Sequence, residues 1–215
     1  MLKMPVLLIG GGGHCASVID VIEAGDDFEV AGIVEAQASE RKELLGYPVV
    51  GTDAQLPELL KRVPNCVITV GQIRSADVRE KLYLEIKRLG GHLPNIISPL
   101  ARVARSVEMG DGNVVMHHAI VNHFAKLGNN TIINHRALVE HDAMVGDHCH
   151  VSTGAIMNGG TSLGAGCMLG SAAVMIQGVS VIGRTLIGAG AVVTESIEQS
   201  GTYIGCPARL IGERK

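Results

Sequence analysis

Val139-Glu140-His141-Asp142-Ala143-Met144-Val145-Gly146-Asp147-His148-Cys149-His150-Val151 carries two repeats of a pattern that runs in one register through residues 109–193. In steps of six stand Met109, Val115, Val121, Leu127, Ile133, Val139, Val145, Val151, Met157, Leu163, Leu169, Met175, Val181, Ile187 and Val193, all aliphatic or Met. Two places earlier come small or compact residues, such as Ala119, Thr131, Ala143, Cys149 and Cys167. The place after is Gly or Asn at Gly110, Asn122, Gly128, Asn134, Gly146, Asn158, Gly164, Gly170 and Gly188. An internal repeat of this length outranks every local signal.

A six-residue period matches neither the 3.6 of a helix nor the 2.0 of a simple strand. It fits a short strand followed by a tight corner, three of which close a triangular coil of about eighteen residues. Strands of successive coils then stack about 4.8 Å apart. Gly or Asn after each interior residue is expected to supply left-handed backbone at the corner. The expectation is a parallel β-helix of about five coils. The hexads Val145-Gly146-Asp147-His148-Cys149-His150, Leu163-Gly164-Ala165-Gly166-Cys167-Met168 and Ile187-Gly188-Ala189-Gly190-Ala191-Val192 resemble the signature of the hexapeptide-repeat acyltransferases. That resemblance implies left-handed winding.

Composition agrees. Of 215 residues, 47% are hydrophobic, 18% charged and only 2% aromatic. A narrow β-helical interior takes Val, Ile, Leu and Ala and has little room for rings. The net charge of −3, with no basic run, argues against nucleic acid as a partner. The apolar stretch 6–9 runs at once into four glycines, too short for a signal peptide or a membrane span. The five cysteines show no paired spacing, so they read as reduced thiols and the protein as cytoplasmic.

Ahead of the repeat, residues 4–9 read as a buried strand. Gly10-Gly11-Gly12-Gly13-His14 follows, then a helix from Ala16 to Glu23 and a second strand from Phe28 ending at Glu35. This is strand, glycine-rich turn, helix, strand: the pattern of an α/β Rossmann-like small domain. Such a turn lets a phosphate approach backbone N–H groups at a helix N-terminus. The bland alternative is a tight turn with no ligand. Residues 36–45 read as a loop, Asp53 as a helix cap, and 66–71 as another buried strand. A helix between 74 and 89 carries Val78, Leu82, Ile86 and Leu89 on its apolar face. The expected division is 1–97 for this domain and 98–215 for the β-helix, with an extended C-terminal tail capping the coil.

Seven of the nine histidines lie within residues 117–150. One coil of spacing sets His117 beneath His135 and His123 beneath His141. Those four sit two places after an interior residue and face outward, as does His150, which precedes interior Val151. Each reads alone as a surface or trimer-interface histidine bonded to backbone; together they leave open a metal site on a hydratase-like or hydrolase-like prism. Glu140-His141-Asp142 reads as a general base flanked by carboxylates, or as a surface ion cluster.

Three segments combine: the Gly-Gly-Gly-Gly-His turn, Glu140-His141-Asp142 with Val145-Gly146-Asp147-His148-Cys149-His150, and Ile204-Gly205-Cys206-Pro207-Ala208. Together they resemble the sialic acid O-acetyltransferase/nucleotide-sugar N-acetyltransferase family over nearly the whole chain. The resemblance implies a trimeric, metal-independent enzyme that moves acetyl from acetyl-CoA to the 4-amino group of a UDP- or dTDP-linked 4-amino-deoxysugar. O-acetylation of sialic acid is the alternative. His141 would be the catalytic base, oriented by Asp142 where the family commonly has Glu. His150, Asn158, Gly159, Gly205 and Pro207 would meet the acetyl donor. Gly11, Gly12, Gly13, His14 and Glu35 would bind the nucleotide sugar, with Glu35 where the family usually has Asp.

Overall fold

The computed structural model describes residues 2–38 and 40–212. Strand β1 (Met4–Ile9) runs into helix α1 (Gly13–Ala24) and strand β2 (Phe28–Glu35). There follow β3 (Glu43–Leu44), β4 (Tyr47–Thr52), α2 (Leu56–Arg62), β5 (Cys66–Ile68) and α3 (Asp77–Arg88). The sheet order is β3-β4-β2-β1-β5, with only the short β3 antiparallel. Strand β1 is therefore central, and the chain order reverses on either side of it. The crevice above such a switch point is where open α/β sheets bind ligands.

Details of this domain differ from expectation. The segment 36–45 contains β3, which pairs with β4. Asp53 is not the cap. It lies in a 3-10 turn, Asp53–Gln55, that leads into α2 and is capped by Thr52, whose side chain and that of Gln55 bond each other's backbone N–H groups in a capping box. On α3 the buried residues are Arg79, Leu82 and Ile86, while Val78 is 58% exposed. The inward face is thus turned by one residue and carries a cation.

From Ile96–Ile97 onward the chain winds as a left-handed parallel β-helix. Its three faces are sheets of eight, six and five strands, in which successive neighbours are three strands apart in the chain except at the C-terminal end of the eight-stranded sheet. The second residue of each two-residue strand points inward; Val115, Val121, Ile133, Val139, Val151, Leu169 and Ile187 are all buried in one core. The coil exceeds the expected five turns at both ends. Ile96–Ile97 already pairs with Val114–Val115, ahead of the expected division at 97/98. At the far end Ile197 bridges Val181 and Tyr203 pairs with Ile187, so the last turn has lost two residues and its hexad register is hidden. The C-terminal stretch is a strand, Thr202–Ile204, that turns back antiparallel through Arg209–Gly212. Residues 213–215 of the expected tail lie outside the described residues.

The corners correct the role given to glycine. Positive φ falls three places after the interior residue, at His118, Phe124, Asn130, Arg136, Asp142, His148, Ala172 and Arg184. It does not fall one place after. The glycines there answer a different demand, the close approach of the next coil. A Cβ on Gly146 would sit 2.7 Å from Ala165 N, and one on Gly170 2.6 Å from Ala189 N.

The N-terminal domain lies on the eight-stranded face. Outward-pointing Val114 and the adjacent Met116 join Val18, Ile19 and Ile22 of α1 in a second apolar cluster. That packing closes the seam in which the glycine-rich turn meets the β-helix.

Candidate active site

The glycine-rich turn follows β1 and opens α1. Gly10 has φ +110°, and a Cβ there would meet Val70 Cγ2 at 2.6 Å, so only glycine serves. A Cβ on Gly11 would meet Glu35 Oε1 at 2.6 Å, whereas Gly12 and Gly13 border open space. Gly12 is the N-cap of α1 with no side-chain bond to the first turn. The first turn of α1 thus borders a cavity of about 1090 Å³. Gly11, Gly12, Gly13, His14 and Glu35 all line this cavity, together with Arg41, Thr69, Gln72, Asn134, His135 and His150. The last three come from the β-helix, so the cavity spans the seam. Arg41 donates to Gly11 O at its rim.

The expected placement of His150 is corrected here. It does point outward from the prism, but from a strand rather than a corner, and the N-terminal domain buries it. Its Nδ1–H donates to Gln72 O at 2.7 Å, and its Nε2 accepts from Asn134 Nδ2 at 3.0 Å. Asn134 Oδ1 accepts the His135 N–H, which fixes the direction of that amide. Burial pulls the His150 imidazole down to about 4, so it stays neutral at pH 7. His14 is half-buried, with its Nε2 turned inside, and is pulled down to about 3, first by desolvation and then by the Arg79 charge. Its Nε2 has no partner among the described residues.

His141 and Asp142 lie elsewhere, at an exposed corner that does not border this cavity. His141 Nδ1 donates to Asp142 Oδ2 at 2.8 Å. Asp142 holds its carboxylate there because the corner places it at φ +59°. Glu140 does not touch the ring; its Oε2 accepts from Asn122 Nδ2 and from the His141 N–H. With Nδ1 carrying the proton, Nε2 is the free basic nitrogen. Gly159 lies against it one coil on: a Cβ there would be 2.7 Å from both Cε1 and Nε2. Asn158 holds its own corner, donating to Met175 O and accepting from Thr161 Oγ1. Gly205 and Pro207 sit in the final hairpin turn, where Gly205 O and Ala208 N bond Val192.

The other histidines are held by neighbours. His117 and His135 stack as their spacing implies, ring centroids 5.6 Å apart. His117 bonds Ser98 and Asp20, and His123 bonds Ser106. Among the described residues no three His, Cys, Asp or Glu converge as metal ligands. Cys149 is a core residue whose thiol is pushed well up by burial, so it is no nucleophile.

Three comparisons bear on this geometry. The profile of the PglD N-terminal domain matches residues 5–86. Perosamine N-acetyltransferase from Caulobacter crescentus, solved with CoA and GDP-perosamine in a form with one histidine replaced by asparagine, is 36% identical. That alignment covers 97% of each chain with a TM-score of 0.91. This chain belongs to the hexapeptide-repeat acyltransferases that act on nucleotide-linked amino sugars. A second member, the acetyltransferase domain of PglB from Neisseria gonorrhoeae with acetyl-CoA, is 30% identical over 98% of this chain and 100% of that one, TM-score 0.90. WeeI from Acinetobacter baumannii, 22% identical with a TM-score of 0.76, shares the fold. Comparison with curated protein sequences returns no match. Of the residues at these two places, sequence patterns had singled out the turn and His141. They had missed Arg41, Thr69, Gln72 and Asn134, which reach the cavity only through folding.

Proposed function

We propose that the protein transfers acetyl from acetyl-CoA to the 4-amino group of a nucleotide-linked 4-amino sugar. The observation that carries this is the pairing of two sites. One is a glycine-lined cavity at a helix N-terminus, suited to a diphosphate. The other is an exposed His141–Asp142 pair backed by Gly159. In this reading residues 1–97 hold the nucleotide sugar and 98–215 the acetyl donor. The amine nitrogen attacks the thioester carbonyl, and His141 Nε2 takes its proton. The C–S bond breaks, and the thiolate leaves with that proton. Asp142 holds the tautomer and stabilises the imidazolium. The Gly159 N–H, which has no acceptor among the described residues, is available to the developing oxyanion.

The outer face beside this corner supports a path for the donor. Leu138, Ile156, Val174 and Val192 form an outward apolar column, stacked in register. It leads from the His141 corner to Gly205 over three coil spacings, about 14 Å. That fits a pantetheine arm along the column with Gly205 and Pro207 at its nucleotide end. His150 contributes to the sugar cavity rather than to the thioester, since both its nitrogens are engaged. Because the cavity and His141 do not share one wall, we further propose a homotrimer, in which one chain's cavity faces a neighbour's His141 across that apolar column. No helix among the described residues is long and apolar enough to cross a membrane, and the proposed setting is the cytoplasm.

The base is not confined to uracil or thymine, since the Caulobacter relative is described with a guanosine-linked sugar. The relatives favour N-acetylation over O-acetylation of sialic acid. The deciding assay follows thiol release from acetyl-CoA against GDP-, UDP- and dTDP-linked 4-amino sugars and free sialic acid. Turnover with an amino sugar is expected; turnover with sialic acid alone would replace this proposal with the O-acetyl one.

A further inference from the structure

Helix α3 carries a side chain that the chemistry above does not use. Arg79 is 1% exposed, at the seam between the two domains. Its Nη1 donates to Ile68 O at 3.0 Å and Val70 O at 2.7 Å. Its Nη2 donates to Asn130 O at 3.1 Å and Asn130 Oδ1 at 2.6 Å. Asn130 Nδ2 returns a bond to Arg79 O. Among the described residues Nε has no partner and no carboxylate pairs with the guanidinium. Burial pulls the group down to about 9, which leaves it a cation at neutral pH.

Stability alone is a poor reason for this arrangement. A buried charge without a counter-ion costs several kcal/mol in desolvation, and an apolar side chain of similar volume would fill the seam without that penalty. What the arrangement does achieve is local. The two carbonyls gripped by Nη1 flank Thr69, and Thr69 Oγ1 donates to Gly10 O at 2.6 Å. The grip thus passes from Arg79 through the end of β5 to the glycine-rich turn. Residues 69–72 form the cavity wall facing that turn, and Gln72 O receives His150. The charge itself reaches the cavity too: it opposes protonation of His14 and His150, which both line it. The other groups facing His14 are His150 and His135, and the cavity's own charges are Glu35 and Arg41.

We propose that Arg79 is a positioning residue for the nucleotide-sugar half of the site: its fork fixes the 69–72 wall, and its unpaired charge draws an anionic diphosphate into the cavity. This rests on the nucleotide-sugar reading of that cavity. The ligand's negative charge then completes, at a distance, a pair that the protein alone leaves open.

Two substitutions separate charge from fork. Arg79→Met keeps most of the volume and removes the charge; Arg79→Lys keeps the charge and removes the fork. Binding of GDP, UDP and dTDP is measured by calorimetry at low and high salt, with acetyl-CoA as the control. For the nucleotide that the unchanged protein binds best, Arg79→Met is expected to weaken binding at least about tenfold and to flatten its salt dependence. Acetyl-CoA binding stays within about twofold, and the His14 ring resonance titrates at higher pH. Arg79→Lys is expected to keep the salt dependence and to lose about threefold, the share that the fork supplies, and no loss at all overturns the role of the fork. Unchanged nucleotide affinity and salt dependence in folded Arg79→Met overturns the proposal. Should Arg79→Met fail to fold, a folded Arg79→Lys whose nucleotide binding no longer keeps the salt dependence of the unchanged protein overturns the role of the charge. If the unchanged protein binds none of the three nucleotides, the reading of the cavity itself falls. Normal binding with an indifferent Arg79→Met sinks Arg79 alone.

Discussion

Imidazole orientation decides what each histidine of this chain can do. His141 has its Nδ1 proton on Asp142 and its Nε2 free; His150 has both nitrogens bonded inside the fold. Only the first is arranged as a base. Replacing His141 with Ala is expected to lower kcat about 10³-fold, within the range for a lost general base, with calorimetric nucleotide affinity unchanged. An activity within a few-fold of normal would remove His141 from the mechanism. Gly159 gives a finer test. Its backbone has no positive φ, so Ala is tolerated there, but the new methyl would lie 2.7 Å from the His141 ring. Gly159→Ala should therefore keep its melting temperature and lose about tenfold or more in turnover by displacing the base. Full activity would show that the ring need not rest on Gly159.

At the scale of the repeat, one unit does two jobs. Its second strand residue fills the core, and its first faces outward to whatever covers that face. Under the N-terminal domain the outward positions are Val114, Ile132 and His150, all buried; on the six-stranded face they are the column from Ile120, itself 43% exposed. The glycine after the interior residue is set by spacing between coils. Gly146→Ala would press its methyl on the backbone of Ala165, 2.7 Å away, where no side chain can swing aside. Overpacking of that kind is expected to destabilise by about 1–3 kcal/mol, read as a lower denaturant midpoint. A corner residue such as Arg136, at φ +58°, should respond oppositely, with Gly tolerated.

For the whole molecule, the seam and the open face matter most. His14 and His150 are neutral when folded, down to about 3 and about 4, but regain the ordinary value of 6.5 when unfolded. The sign follows directly. Between those values the unfolded chain binds more protons, so stability rises with pH there. It is fully present above about 6.5 and is lost as pH falls toward about 4. The melting temperature should drop across that window, and each kcal/mol of linkage moves it by about 2–4 °C. A flat profile would mean that neither ring is buried in the folded protein. The apolar column supports the proposed trimer: if that assembly forms, Ile156→Glu should shift the mass measured by light scattering toward the monomer and abolish turnover. A monomeric unchanged protein with full activity would refute the shared-site arrangement.

The hexad period by itself determined the coil, its inward residues and the stacking of His117 on His135, because a strict repeat leaves the chain one way to bury its aliphatic face. The glycine-rich turn and the His141–Asp142 pair were legible for a related reason: each is local in the chain. Even so, the period put left-handed backbone at the wrong place in the hexad, since distance between coils is not written in one strand. It also placed His150 on an open face, where the N-terminal domain in fact covers it. Arg79 shows the limit most clearly. The pattern on α3 pointed Val78 inward, because apolar spacing carries no record of a buried cation. Folding brought Arg79 between the Ile68 and Val70 carbonyls and Asn130, residues far apart in the chain. Only the docking of the two domains decides which polar groups are gathered at their seam, since that docking is set by the summed shape of both surfaces and not by any one segment.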